Sequence, residues 1–185
     1  MSSTLQNIDP FTQPSFTFKN RMGRFLWGII YILLFRFSPR PLHAWRSFLL
    51  RCFGAKVGKS CHIYPTAKIW APWNLTCDDV VAIADEVIIY NPSQVFLGSH
   101  CIVSQQAYLC GASHNYNEPS CPVISAHINI GSYAWVCARA TVQMGVTLQE
   151  GAILGLGAIA TKDLDSWTVY AGIPAKKIKL RKKLV

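Results

Sequence analysis

Between residues 57 and 164 an aliphatic side chain returns every six positions, usually with a small residue four places further on. Val57, Ile63 and Ile69 start the series. Ile130, Val136, Val142, Leu148 and Leu154 close it, with Ala134, Ala140, Val146, Ala152 and Ala158 at the small sites. Helices repeat every 3.6 residues and strands every two, so a period of six belongs to neither. It fits a solenoid that spends six residues on each side of a triangular coil. The spacing predicts an all-β solenoid of about five coils over residues 57–166. Its turns are Val57/Ile63/Ile69, Cys77/Ile83/Ile89, Leu97/Val103/Leu109, Ile130/Val136/Val142 and Leu148/Leu154/Ala160. Extra residues near Pro72-Trp73 and Pro92-Ser93 predict bulged corners. Between 70 and 94 a second series, Leu75, Val81 and Val87, fits equally well.

Upstream the period changes. Residues 1–18, with Pro10 and Pro14, read as a flexible polar arm, and residues 19–56 as a helical region. Its first helix, 19–37, is broken by the Ser38-Pro39-Arg40-Pro41 stretch. Its second, 42–53, groups Leu42, Trp45, Phe48, Leu49 and Phe53 on one apolar face, and Gly54 sits where a helix C-terminal glycine belongs. Parallel coils leave open edges at both ends. The helices are expected to cap the first coil, and the basic segment 167–185 the last. The apolar run from Phe25 to Phe35 falls short of the roughly 20 residues a spanning helix needs, so no membrane span is expected. No small-residue cleavage site follows it, so no signal peptide is expected either.

Charge adds a second pattern to the same regions. The net charge is +9, with nine basic residues and one acid in residues 1–60 and six basic residues in the tail from Lys176 to Lys183. The repeat body between them is mildly acidic. Basic ends suit anionic lipid or phosphorylated ligands, and no recognition motif points to nucleic acid. Lys19, Arg21, Arg24, Arg36 and Arg40 flank the aromatic-rich run 25–35. Two readings stay open there: a helix at a membrane interface, or one packed on the first coil or a neighbouring subunit. Seven cysteines, an odd number without CxxC spacing, read as reduced thiols of a cytosolic protein. Cys61, Cys77, Cys101 and Cys137 fall on repeat positions.

Candidate chemistry sits where the repeat breaks. The segment between Leu109 and Ile130 interrupts the series and is expected to loop out, with the active-site loop spanning 110–129. His114 stands at its start beside Ser113, Asn115, Tyr116 and Asn117. Histidine titrates near neutrality and can take a proton from a hydroxyl; the alternative is a hydrogen-bonded loop histidine. Ser113 is not expected to be a nucleophile, because adjacent residues of an extended chain point to opposite faces. Cys110 could share a side with His114, and His127 could return near it. His100, His114 and His127 do not match the coil spacing, so no metal site is expected. Gly151, Gly155 and Gly157 line a flat stretch, followed by Thr161, Lys162, Lys176, Lys177 and Lys179. Such a groove suits the arm and phosphates of a nucleotide-bearing cofactor.

The segments LGSHCIVSQQAYLCGASHNY, IGSYAWVCARATVQMGVTLQEGAILGLGAIATKD and YAGIPAKKIK resemble the hexapeptide-repeat acyltransferases, whose fold is a left-handed parallel β-helix. The resemblance runs from about residue 19 to 180 and is strongest to the colanic-acid type of exopolysaccharide O-acetyltransferase, related to the galactoside and maltose acetyltransferases. It implies a homotrimer with active sites between subunits, acetyl-CoA along the C-terminal coils and His114 as general base. It also implies cofactor contacts from Trp135, Ala138, Leu156, Gly157, Thr161 and Lys162, with Lys176 and Lys179 near the phosphates. Asp85, Asn91, Asn115 and Tyr116 fall on the acceptor side. Trp135-Val136-Cys137 and Gly155-Leu156-Gly157 replace the family's WIG and GAG, which implies a narrower or reshaped cofactor groove.

The expected activity is acetyl-CoA-dependent O-acetylation of a sugar or lipid-linked glycan. Its setting would be exopolysaccharide or cell-surface glycan synthesis, in the cytoplasm or peripherally on its membrane face. Alternatives are a small acceptor such as a free sugar or antibiotic, a non-catalytic scaffold, and a carbonic-anhydrase-like metalloenzyme.

Overall fold

The computed structural model describes residues 3–4 and 9–183. Three parallel sheets wind into a triangular solenoid, with the register the six-residue series predicts. The first sheet stacks Lys56–Val57, Leu75–Cys77, Val95–Leu97, Ile128–Ile130 and Thr147–Leu148. The second stacks His62–Ile63, Ala82–Ile83, Ile102–Val103, Trp135–Val136, Ile153–Leu154 and Thr168–Ala171. The third stacks Lys68–Ile69, Ile88–Tyr90, Tyr108–Cys110, Thr141–Gln143 and Ile159–Ala160. All fifteen residues of the five predicted triplets are buried.

The two competing series between 70 and 94 are both buried, for different reasons. Cys77, Ile83 and Ile89 hold the strand positions, pairing with Val57, Ile63 and Ile69 of the coil below. Val81 and Val87 fill the small sites four residues on from Cys77 and Ile83. A short 3-10 turn, Pro72–Asn74, takes up extra residues at the predicted corner. A sixth, partial coil extends the expected five: Leu164 bridges to Leu148, and Tyr170 pairs with Leu154. Strand Lys176–Leu180 then folds back antiparallel on Thr168–Ala171 and covers the end of that sheet.

Two helices close the other end. Helix α1, Phe18–Ile30, begins at the Thr17 cap, whose hydroxyl accepts from the Asn20 N–H. A π turn, Tyr31–Phe35, continues it. Eight residues of plain α-helix would leave Phe35 rotated by about 80° from Trp27. The wider π turn returns it, and the two rings meet edge-on at 5.6 Å. Helix α2, His43–Cys52, differs from expectation in the face it buries: Arg46, Ser47, Leu49 and Leu50 turn inward, while Leu42, Trp45 and Phe48 are exposed. Gly54 ends it at φ +87°, as predicted.

The reason for the inverted face lies in the first coil. Within the solenoid, the carbonyls of Cys77, Ile83 and Ile89 accept from Gly58, Tyr64 and Trp70 of the coil below. The matching carbonyls of the first coil have no coil below them. The helices supply a side-chain partner to each: Arg51 Nε to Val57 O (2.9 Å), Arg46 Nε to Ile63 O, where His43 Nδ1 also lies at 2.9 Å, and Trp27 Nε1 to Ile69 O (2.7 Å). Arg46 spends its remaining donors on Ser38 Oγ and the Pro39 and Arg40 carbonyls. A guanidinium with five N–H groups and no exposed surface is tolerated because acceptors surround it.

The open choice for residues 25–35 is narrowed here. Only Trp27 and Phe35 of that run are buried, so its own solenoid takes up little of it. No helix among the described residues is long and apolar enough to cross a membrane. The N-terminal arm is partly tied down, since Ser3–Thr4 pairs with Ile124 and Ser125.

Arg46→Met should preserve side-chain volume but strand the carbonyls beneath the first coil. Chemical denaturation should show a loss of about 2–4 kcal/mol. A loss near zero would mean that water or neighbouring donors replace the guanidinium without cost.

Candidate active site

The loop leaves the solenoid after Tyr108–Cys110 and returns at Ile128–Ile130, at the corner between the third and first sheets. It does so as a small antiparallel arm, with Ala112–His114 paired to Val123–Ser125 and Ser3–Thr4 added outside. Gly111 sets the departure angle. Its N–H donates to the Tyr90 carbonyl at 2.7 Å, and a Cβ there would stand 2.7 Å from that oxygen. Ser93 and Ser125 share a 2.6 Å hydroxyl hydrogen bond that ties the returning strand to the coil.

His114 is exposed at the end of the outgoing strand. Its Nδ1 lies 2.6 Å from the Cys121 carbonyl, which can only accept. The proton therefore sits on Nδ1, and Nε2 is left as a free acceptor. Cys121 adopts φ +43°, a left-handed turn conformation that carries its carbonyl to the ring. A cleft of about 540 Å³ opens beside it, lined among others by Cys110, His114, Asn115, Tyr116, Gln143 and Met144.

Asn115 and Tyr116 line the same cleft as His114. Tyr116 is almost fully exposed, and the Asn115 amide donates to Glu118 at 2.7 Å. No hydrogen bond joins Ser113 to His114, and the Cys110 thiol donates to the Ala112 carbonyl. Gln143 and Met144 were not anticipated. Gln143 lies directly over Cys110 in the third sheet, a neighbour that the register alone would have supplied.

Two acceptor-side expectations fare differently. Asn91 is wholly buried, and its amide is spent on the N–H and the carbonyl of Ala71. It clamps the bulged corner and has no atom free for an acceptor, which corrects that assignment. Asp85 is partly exposed but engaged by the Thr66 hydroxyl and by Arg40 at 2.9 Å. Neither Asp85 nor His127 lines the His114 cleft. A wider groove of about 770 Å³ runs along the lower coils past Arg51, Lys56, Asp78 and Asp79. It holds no histidine, and Asp79 already accepts from the Lys59 N–H. Among the described residues no three His, Cys, Asp or Glu side chains converge on a metal position.

The eight cofactor candidates lie on the outer surface of the upper coils, and none lines the His114 cleft of the same chain. Trp135 faces outward on the second sheet, with its indole N–H on Ser104 Oγ at 2.8 Å. Ala138 and Gly157 stack at the next corner, joined by a backbone hydrogen bond of 3.0 Å. Gly157 has φ +64° and open space where a Cβ would be. Leu156 beside it is 75% exposed, so it stands out from the corner and does not fill it. Thr161, Lys162, Lys176 and Lys179 are exposed, and no carboxylate pairs with these lysines among the described residues. Lys177, by contrast, is paired with Asp165. Burial pushes the Cys137 thiol up, so it is a neutral neighbour and no competing nucleophile. An open shelf with an apolar lip, a glycine and free ammonium groups fits a pantetheine arm ending in phosphates.

Gly111→Ala tests how the loop is held. The added methyl must push the Tyr90 carbonyl or the arm aside, at a cost of about 1–3 kcal/mol. Unfolding at the wild-type midpoint would show that the close approach is not needed.

No protein-family model matches the chain. Among curated proteins, it is 35% identical over 178 residues to the putative colanic acid biosynthesis acetyltransferase WcaF of Escherichia coli K12, covering 96% of this chain and 98% of that one. Among solved structures, a maltose O-acetyltransferase from Clostridium difficile 630 superposes with a TM-score of 0.82 at 19% identity, over 90% of each chain. The hexapeptide-repeat acetyltransferase VCA0836 of Vibrio cholerae, complexed with acetyl coenzyme A, gives 0.81 at 18% identity, over 90% of this chain and 91% of that one. These structures share the fold, and the full-length relative shares the sequence. The chain belongs to the hexapeptide-repeat acyltransferases, in the group of the colanic acid biosynthesis acetyltransferases.

Proposed function

We propose that the protein transfers an acetyl group from acetyl-CoA to a sugar hydroxyl of an exopolysaccharide intermediate, free or lipid-linked, in the cytoplasm. The observation that carries this reading is the Nδ1–Cys121 hydrogen bond, which leaves Nε2 of His114 as a free base at the mouth of a cleft. The exopolysaccharide setting rests on the relationship to the colanic acid acetyltransferase.

In this reading the acceptor hydroxyl binds in the cleft beside Asn115 and Tyr116, and Nε2 takes its proton as the oxygen attacks the thioester carbonyl. Acetyl-CoA supplies the activated acyl group. The C–S bond breaks as the new ester C–O bond forms, and the imidazolium returns its proton to the departing thiolate. Both substrates are bound together, so no acyl-enzyme is needed. That agrees with Ser113 having no bond to His114 and Cys110 donating elsewhere.

Because the cofactor shelf and the His114 cleft of one chain do not coincide, the reading also requires an oligomer. His114 of one subunit would serve the shelf of a neighbour, as in a homotrimer.

His114→Ala should lower kcat by about 10²–10⁴-fold while acetyl-CoA still binds. Activity within a few-fold of wild type would remove His114 from the mechanism. Light scattering should give three times the chain mass, and an active monomer would overturn the shared site.

A further inference from the structure

The helical cap carries an apolar surface that nothing among the described residues covers. Along α1 and the π turn, Phe18, Met22, Phe25, Leu26, Ile29 and Leu33 recur at three- and four-residue spacing. All six are exposed, Phe25 by 64% and Leu33 by 67%. That spacing sets them on the side of the helix away from Trp27, which is anchored to the solenoid. Helix α2 widens the surface through Leu42, Trp45 and Phe48. Trp45 stacks on Phe48, and its indole N–H donates to the Leu34 carbonyl at 3.0 Å, so the two helices present one continuous patch. Soluble proteins rarely leave such a patch in water unless it binds something.

Charge identifies the occupant. No Asp or Glu occurs between residues 10 and 77. Arg24 is committed to the Trp70 ring and Arg40 to Asp85. Lys19, Arg21 and Arg36 are exposed and pair with no carboxylate among the described residues. A second copy of the same face would set these cations against one another. An anionic bilayer offers hydrocarbon for the patch and phosphate for its rim.

We propose that α1, the π turn and the outer side of α2 form a monotopic anchor lying flat on an anionic phospholipid surface. Phe25, Ile29 and Leu33 enter the acyl boundary, and Lys19, Arg21 and Arg36 meet the headgroup phosphates. The anchor is independent of the acyl-transfer reading and holds whatever the acceptor.

Flotation of the full chain with phosphatidylcholine vesicles, with and without phosphatidylglycerol, tests it. Wild type should float with the anionic vesicles only. The Phe25→Glu/Leu33→Glu double variant should lose partitioning by about tenfold or more, and Lys19→Glu/Arg21→Glu should weaken it too. Circular dichroism and oligomer size should stay those of wild type, since all four residues lie at the surface. The proposal is overturned if wild type stays in the soluble fraction, floats equally with neutral vesicles, or floats as well after the double substitution. It is also overturned if the variants change oligomer size and leave vesicle binding alone, because the patch is then a subunit contact.

Discussion

A strand in a parallel coil can satisfy its backbone only through the coil above and the coil below. The first coil lacks a partner on one side, and there the carbonyls of Val57, Ile63 and Ile69 would be orphaned. Arg51, Arg46 and Trp27 each close one side of the triangle. The helical cap thus stands in for a missing coil, donor by donor. That requirement explains why α2 buries an arginine and exposes a tryptophan, and why the π turn is worth its irregular geometry. With Trp27 and Arg46 held inward, Phe25, Ile29, Leu33, Trp45 and Phe48 on the opposite sides of the helices are left facing out.

The same stacking rule places the chemistry. Neighbouring coils must keep a common outline, so extra residues can leave only at corners. The small excursions at Pro72–Asn74 and Pro92-Ser93 are tied down by Asn91 and Asn74. The large one carries His114 and supplies from its own turn the Cys121 carbonyl that sets the imidazole tautomer. The His114 imidazole and its orienting acceptor thus belong to one loop, while the candidate cofactor residues belong to the regular coils above.

How much of this was legible in the sequence depended on what kind of contact decided each position. The inward residues were readable because the interior admits one class of side chain at one spacing, and all five triplets hold. The sixth coil was missed because Leu164 and Tyr170 follow Leu148 and Leu154 by sixteen residues, which breaks the six-residue beat. The inward face of α2 and the place of Asn91 were misread because the burial of Arg46 and Asn91 depends on backbone acceptors and donors that only the folded coils bring together. Gln143 reaches the His114 cleft through strand pairing with Cys110 across the long insertion, a neighbour that follows from aligning the triplets of Leu109 and Val142 and not from the residues around His114.

The insertion itself has a consequence for how such a protein can diversify. Leu109 and Ile128, on either side of it, remain stacked in register with Ile89 and Val95 of the coil below. The excursion therefore adds no strain to the coil geometry it departs from. Outside the turn that joins His114 to Cys121, its length can drift while the solenoid stays unchanged. Under the proposed reading, the lining of the acceptor side and the surface that meets acetyl-CoA are then carried by parts of the chain that selection can alter one at a time.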